Sequence, residues 1–322
     1  MKGSIGIERL EDRKLFSTNV AIVDGVLQIT DDDDGHHVRY RYNAGTYTVT
    51  VDGTQIFSSV GRTWNTVEIR GMGGNDKLEH MTNETLSMGI TMLGGDGDDS
   101  LIGAKGSDVL NGEAGNDSLN GGAGSDTLHG GDDSDTIYAS TGNDQSYGDA
   151  GTDTMDGRGI NQYGGLLISL DDVYNDQVLG SAQNVHDDFE VLYGNNDNGD
   201  TLIGSSTGFA AIYGLGGNDT LTAAGAGDAL YGGDNNDLLN GSAGDDYLDG
   251  GGYTDVLYGG DGNDTLVGGS GRDSVFGQAG DDTVYQDTDI SIDVLDGGTG
   301  TDTLYSATNL VLDLVSNFEV II

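Results

Sequence analysis

Aspartates recur at a single phase of a nine-residue phrase over 241–285, which reads GSAGDDYLD, GGGYTDVLY, GGDGNDTLV, GGSGRDSVF, GQAGDDTVY. Asp246, Asp255, Asp264, Asp273 and Asp282 hold the sixth place. Glycines at places one, two and four let the backbone take positive φ at little cost and turn carbonyl oxygens inward. The place-six carboxylate then stands beside those carbonyls, and mixed carbonyl and carboxylate oxygens suit a hard cation of calcium size. Calcium ligation is the chemistry this spacing offers.

The same phase holds Asp76 in GMGGNDKL, then Asp99, Asp108, Asp117, Asp126, Asp135, Asp144 and Asp153 in an unbroken run over 94–156. It returns with Asp200, Asp219, Asp228 and Asp237, and once more with Asp302. Gly94 and Gly97, Gly112 and Gly115, Gly121 and Gly124, Gly241 and Gly244, Gly259 and Gly262, and Gly268 and Gly271 fill places one and four and join the expected metal site. Some copies depart from the phrase. Asp133 stands at place four and Ser146 at place eight, so the core is expected to loosen and calcium to bind less well over Asp133–Tyr147. A ten-residue copy, Gly204–Tyr213, has Ala210 at place six; it is expected to keep its coil through Ile212 and to lose its ion.

The elements that position these groups follow from places seven to nine. An aliphatic at place eight, as in Leu248, Leu257, Leu266, Val275 and Val284, reads as a three-residue strand with one inward side chain. So short a strict period makes every copy do the same structural job, which is the mark of a solenoid. The phrase resembles the GGxGxDxUx nonapeptide of the RTX (repeats-in-toxin) calcium-binding β-roll. That resemblance implies an all-β, right-handed parallel β-roll in which two phrases make one coil. It also implies calcium held by place-six aspartates and backbone carbonyls of two successive turns on one edge, pairing Asp246 with Asp264 and Asp255 with Asp273. One ion between same-edge neighbours gives on the order of a dozen sites.

Around the two arrays the pattern changes. Residues 19–70 alternate as strands between Gly and Asp turns and are expected to form an N-terminal β cap, followed by the first array over 71–156 with a degenerate coil at His80–Leu93. Residues 157–194 break the period: GLLISLDD reads as a longer strand and Val173–Val185 as a protruding loop. The second array covers 195–305, and 306–322 form a closing strand. Asp31–Asp34 invite an EF-hand reading, but with Gly35 at loop place six, place twelve is Arg41 instead of Glu, so a solvated acidic turn is expected. Residues 1–18 form a terminal or targeting segment, in which Leu10–Ser17 resembles the LEPRxLL-type motif of exported planctomycete proteins, with Asp12 in place of its Pro.

Composition narrows the function. The 322 residues include 58 Gly, no Pro and no Cys, and carry a net charge of −43, which disfavours nucleic acid and anionic membranes as partners. No segment reaches membrane-spanning length. HExxH is absent, and the five histidines lack metal spacing. Gly204-Ser205-Ser206-Thr207-Gly208 matches GxSxG by letters, yet every histidine precedes Ser206, against the order of that hydrolase fold. The expectation is a non-enzymatic calcium-binding protein of the cell exterior, folding on calcium, with a structural or adhesive role. Competing readings are a secreted hydrolase sited in the first 70 residues or in 157–194, and a surface-glycan-binding module using outward aromatics such as Tyr258 and Phe276. The apolar Val320-Ile321-Ile322 adds self-association as a partner class.

Overall fold

The computed structural model describes residues 18–32, 35–61, 64–82, 88–160, 166–170, 176–178, 181–225, 227–286, 293–306 and 314–322. Among them every regular element is a strand, and the chain winds as a parallel β-solenoid of two facing sheets. Each phrase supplies half a winding, so strands 18 residues apart pair. Leu239, Leu257 and Val275 stack in register on one sheet, and Leu248, Leu266 and Val284 on the other. All six are fully buried. Because each short strand turns a single aliphatic inward, the core is a thin ladder, which a chain of 35% hydrophobic residues can fill.

The first winding lies ahead of the recognisable repeats. Val26–Thr30 pairs in parallel with Thr66–Gly73, and His37–Asn43 with Lys77–Thr82. Antiparallel strands extend both sheets outward: Asn19–Val23 on one, Thr46–Val51 and Thr54–Val60 on the other. Tyr47, Val49 and Val51 face inward, and Trp64, 5.1 Å from the Tyr47 ring, covers the end of the ladder with Tyr40. Aromatic area thus shields an end that would otherwise expose the core to water.

One expectation needs correcting. The described part of Val173–Val185 is a hairpin, Asp176–Val178 antiparallel to Ser181–Val185, which bridges the sheet between Gln145–Ala150 and Leu167–Ser169. The interruption therefore adds strands to the stack, because backbone groups at a sheet edge need partners. At Ser146 the ladder has no aliphatic rung, yet Ser146 is buried at place eight and Gln145–Ala150 keeps its register with Thr127–Asp132. Asp133 holds a left-handed φ of 77°, a conformation aspartate tolerates better than most residues, so the turn survives without glycine. The expected longer strand GLLISLDD is Leu167–Ser169, stacked in parallel on Thr201–Ile203. The Leu10–Ser17 motif lies outside the described residues.

Leu257→Ala, removing one rung, is expected to cost about 2–5 kcal/mol in urea unfolding at saturating calcium. Thr265→Ala, at a half-exposed place seven, should stay within about 0.5 kcal/mol. Equal effects of the two would contradict a single-file core.

Candidate metal centre

Successive windings bring the place-six aspartates into two files, one along each edge. Asp76, Asp99, Asp117, Asp135 and Asp153, and later Asp228, Asp246, Asp264, Asp282 and Asp302, form the first. Asp108, Asp126 and Asp144, and later Asp200, Asp219, Asp237, Asp255 and Asp273, form the second. Within a file the backbone N–H of one aspartate donates to Oδ1 of the next, at 2.8 Å from Asp246 to Asp264 and 2.9 Å from Asp255 to Asp273. The two pairings that the resemblance implied are thus neighbours in space.

The second carboxylate oxygen carries the chemistry. Oδ2 is buried and accepts no hydrogen bond in Asp76, Asp99, Asp117, Asp126, Asp135, Asp153, Asp219, Asp237, Asp246, Asp255, Asp264, Asp282 and Asp302. A buried anionic oxygen without a partner is costly, and a row of them needs a counter-charge. The place-one glycines show what lies opposite: a Cβ on Gly94 would sit 2.3 Å from Asp99 Oδ2 and 2.6 Å from the Gly112 carbonyl oxygen. Both oxygens therefore border one small space between windings. Gly112, Gly241 and Gly259 repeat both contacts, with Asp117, Asp246 and Asp264 and a carbonyl of the next winding, and Gly121 and Gly268 border Oδ2 of Asp126 and Asp273.

This revises the reason for glycine at place one, where φ is ordinary and the need is room for the carboxylate. Positive φ belongs to places two and four: Gly97 has φ 125°, with Gly115, Gly244, Gly262 and Gly271 similar. Gly124 differs, its constraint being that a Cβ would meet the Gly106 carbonyl at 1.6 Å.

Burial dominates the protonation of these groups. It pushes Asp237 up to about 8 and Asp76, Asp117, Asp126, Asp153, Asp219 and Asp264 to about 7. Asp99, Asp135, Asp246, Asp255 and Asp282 rise to about 6. Hydrogen bonds from the preceding winding pull the other way and are outweighed, and neighbouring carboxylates push several of them higher still.

The files are not uniform. At Asp108, Asp144, Asp200 and Asp228 a protein donor already occupies Oδ2: Ala104 N–H at 3.1 Å, Ser140 Oγ at 2.9 Å, Asn195 N–H at 2.7 Å and Gly225 N–H at 3.3 Å. In three of these cases the preceding winding has an apolar residue at place six. Ile90, Leu166 and Ala210 donate their N–H to Asp108, Asp200 and Asp228, so the coil persists where the carboxylate is lost. Ile212 remains fully buried beside Ala210.

Sequence reasoning missed four members. Asp293 accepts from Asp273 N–H at 3.0 Å, Glu190 from Asp153 at 2.7 Å, and Glu319 from Asp302 at 2.8 Å. An acid followed at plus two by an aliphatic, as in Asp293-Val294-Leu295, Glu190-Val191-Leu192 and Glu319-Val320-Ile321, was the available signal. The fourth is His36, whose N–H donates to Asp76 Oδ1 at 2.6 Å and which therefore stands at place six of the first winding. Its place one is Asp31, whose N–H donates to the Arg70 carbonyl as place-one glycines do to the next winding. Asp31 is buried, so the expected solvated turn is overturned there; Asp33 and Asp34 lie outside the described residues.

Paired carboxylates and carbonyls repeating along both edges of a parallel solenoid define a cation-binding repeat protein. The family model for the RTX calcium-binding nonapeptide repeat, in four-copy units, matches residues 93–128, 120–155, 213–248, 224–257, 249–284 and 288–307. Over these residues the chain carries RTX calcium-binding nonapeptide repeats. No curated protein matches it.

Two outcomes follow from the seam. Gly94→Ala should remove the ion facing Asp99, lowering calcium stoichiometry by about one while distant windings keep theirs. The second concerns pH. Folded-state values near 6 to 8 exceed the ordinary 3.8, so protons stabilise the metal-free fold fully below the unfolded value, and that support is lost as pH rises through 6 to 8. In chelator, the strand signal in circular dichroism should be larger near pH 5 than at pH 8. With calcium, the folding midpoint should move to higher calcium as pH falls from 8 to 6, since protons and ions compete for the same oxygens.

Proposed function

We propose that this protein is a non-enzymatic, extracellular calcium-binding roll with a structural or adhesive role, which folds as its seams fill. The observation that supports this is the run of buried Oδ2 atoms with no hydrogen-bond donor, each bordering the space beside a place-one glycine. Asp99, Asp117, Asp135, Asp246, Asp264, Asp255 and their file neighbours would hold the ions through Oδ2, joined by carbonyls such as that of Gly112. Calcium supplies the positive charge that lets stacked carboxylates approach. Affinities of about 10⁻⁴ to 10⁻³ M, usual for extracellular modules, would leave the chain unfolded in the cytosol and folded outside. RTX-repeat proteins are typically secreted, which is compatible with that location.

Against the hydrolase reading, the GxSxG letters lie in a bend where Ser205 Oγ is 3.0 Å from Thr207 Oγ1, and the described residues contain no helix to build a nucleophile elbow. The outward aromatics favour structure over sugar binding. Tyr258 stacks on Phe276 at 5.2 Å, and Tyr193, Tyr213 and Tyr231 stack in sequence at 4.7 Å, so the rings spend their faces on one another.

Calcium titration followed by circular dichroism tests the proposal. A cooperative gain of strand signal is expected between micromolar and millimolar calcium, reversed by chelator. Asp264→Asn, in mid-file, should raise the midpoint several-fold. A spectrum indifferent to chelator would refute calcium-dependent folding.

A further inference from the structure

The first winding departs from the repeat in a way that changes its ligand chemistry. In ordinary windings place one is glycine and place six aspartate, and the carboxylate occupies the room the glycine leaves. Here the two are exchanged in function. Asp31 stands at place one and His36 at place six, so the carboxylate enters the seam from the opposite side and an imidazole faces it.

We propose that Asp31, Asp32 and His36 form a terminal metal site for a d-block divalent cation such as Zn²⁺, distinct from the calcium positions of the files. The three side chains offer donor atoms that all lie within 4.8 Å of one another. His36 Nδ1 is 3.3 Å from Asp31 Oδ2 and 3.3 Å from Asp32 Oδ1. That is close to the donor separation of a tetrahedral site, since bonds of about 2.0–2.1 Å put neighbouring ligands about 3.3 Å apart. The independent indication is Asp31 itself: its side chain has no solvent exposure, and its Oδ2 accepts no hydrogen bond and points at the cluster. Oδ1 is held by Thr18 Oγ1, which fixes the carboxylate and leaves Oδ2 as the free donor.

The donor set selects the metal. Calcium takes six to eight oxygens, and an imidazole nitrogen in their place favours zinc and its neighbours. Two carboxylates and one imidazole leave the fourth tetrahedral position to water. The site is also tied to the first calcium position, because the backbone of His36 donates to Asp76 Oδ1.

The test uses the full chain folded in saturating millimolar calcium. Titration with Zn²⁺ by calorimetry, and with Co²⁺ by visible absorption, should reveal one equivalent that calcium does not displace, with tetrahedral cobalt bands. His36→Gln and Asp31→Asn should each weaken it by about ten-fold or more, whereas His129→Gln should leave it unchanged. Circular dichroism in calcium confirms that each variant is folded. X-ray absorption on the zinc-loaded native chain, which needs no variant, should show one imidazole among oxygen ligands. Asp31→Gly combined with His36→Asp rebuilds the ordinary phrase and should lose the zinc equivalent while gaining a calcium. Absence of a calcium-resistant equivalent, its persistence in His36→Gln, or an all-oxygen shell would overturn the assignment. Calcium-dependent folding would be untouched by that result.

Discussion

Like charges stacked in a low-dielectric seam constrain everything else in this molecule. Each winding advances about 4.8 Å, so place-six carboxylates in one file stand little more than a strand spacing apart. Their Oδ1 atoms accept from the preceding backbone, and in thirteen of them, Asp246 and Asp264 included, Oδ2 accepts no hydrogen bond among the described residues. Cations lying between the windings, or protons that abolish the charge, would relieve the repulsion between these stacked carboxylates. The aliphatic ladder is one side chain wide and the chain has no cysteine, so the proposed cation binding would act on the fold at these seams.

That dependence explains why glycine is needed at two kinds of place for two unrelated reasons. At places two and four the backbone turns through left-handed conformations, which Asp133, Glu113 and Gln278 also reach at some cost. At place one the backbone is ordinary and the demand is steric, because a Cβ would enter the space shared by a carboxylate and a carbonyl. Non-glycine residues are therefore tolerated at places two and four without loss of the coil. At place one, Ala139 coincides with Asp144 being occupied by Ser140 and not left open.

Much of this was legible because a strict period repeats one physical solution, and repetition separates the signal from chance. Asp246 and Asp264 could be placed as neighbours because the repeated phrase carries the RTX resemblance, which implies that pairing. What escaped reading was whatever kept the structural phase without the letters. Asp293 follows Asp273 by 20 residues, and Glu190 and Glu319 use a longer carboxylate after an irregular approach, yet all accept the same N–H. Asp31 and His36 escaped for a deeper reason. The winding is fixed by strand register, Val38 on Leu78 and Ile29 on Ile69, and register tolerates an exchange of chemistry between places that a motif cannot express.

The two kinds of continuity in the solenoid do not coincide. The carboxylate files are broken on both edges between Asp153 and Asp228, where Leu166 and Ala210 stand at place six and Glu190 terminates the first file. Across the same stretch the aliphatic ladder runs on without a gap through Ile168, Leu192, Leu202 and Ile212. In a solenoid each winding interacts with its neighbours alone, so coupling passes only through what adjacent windings share. Inside an array they share ions and core. Between arrays they share core and backbone pairing, reinforced by the hairpin of 176–178 and 181–185. Cation binding in one array can therefore stabilise the other only through packing and strand pairing, which makes the apolar place-six residues the points where cooperativity along the chain is weakest.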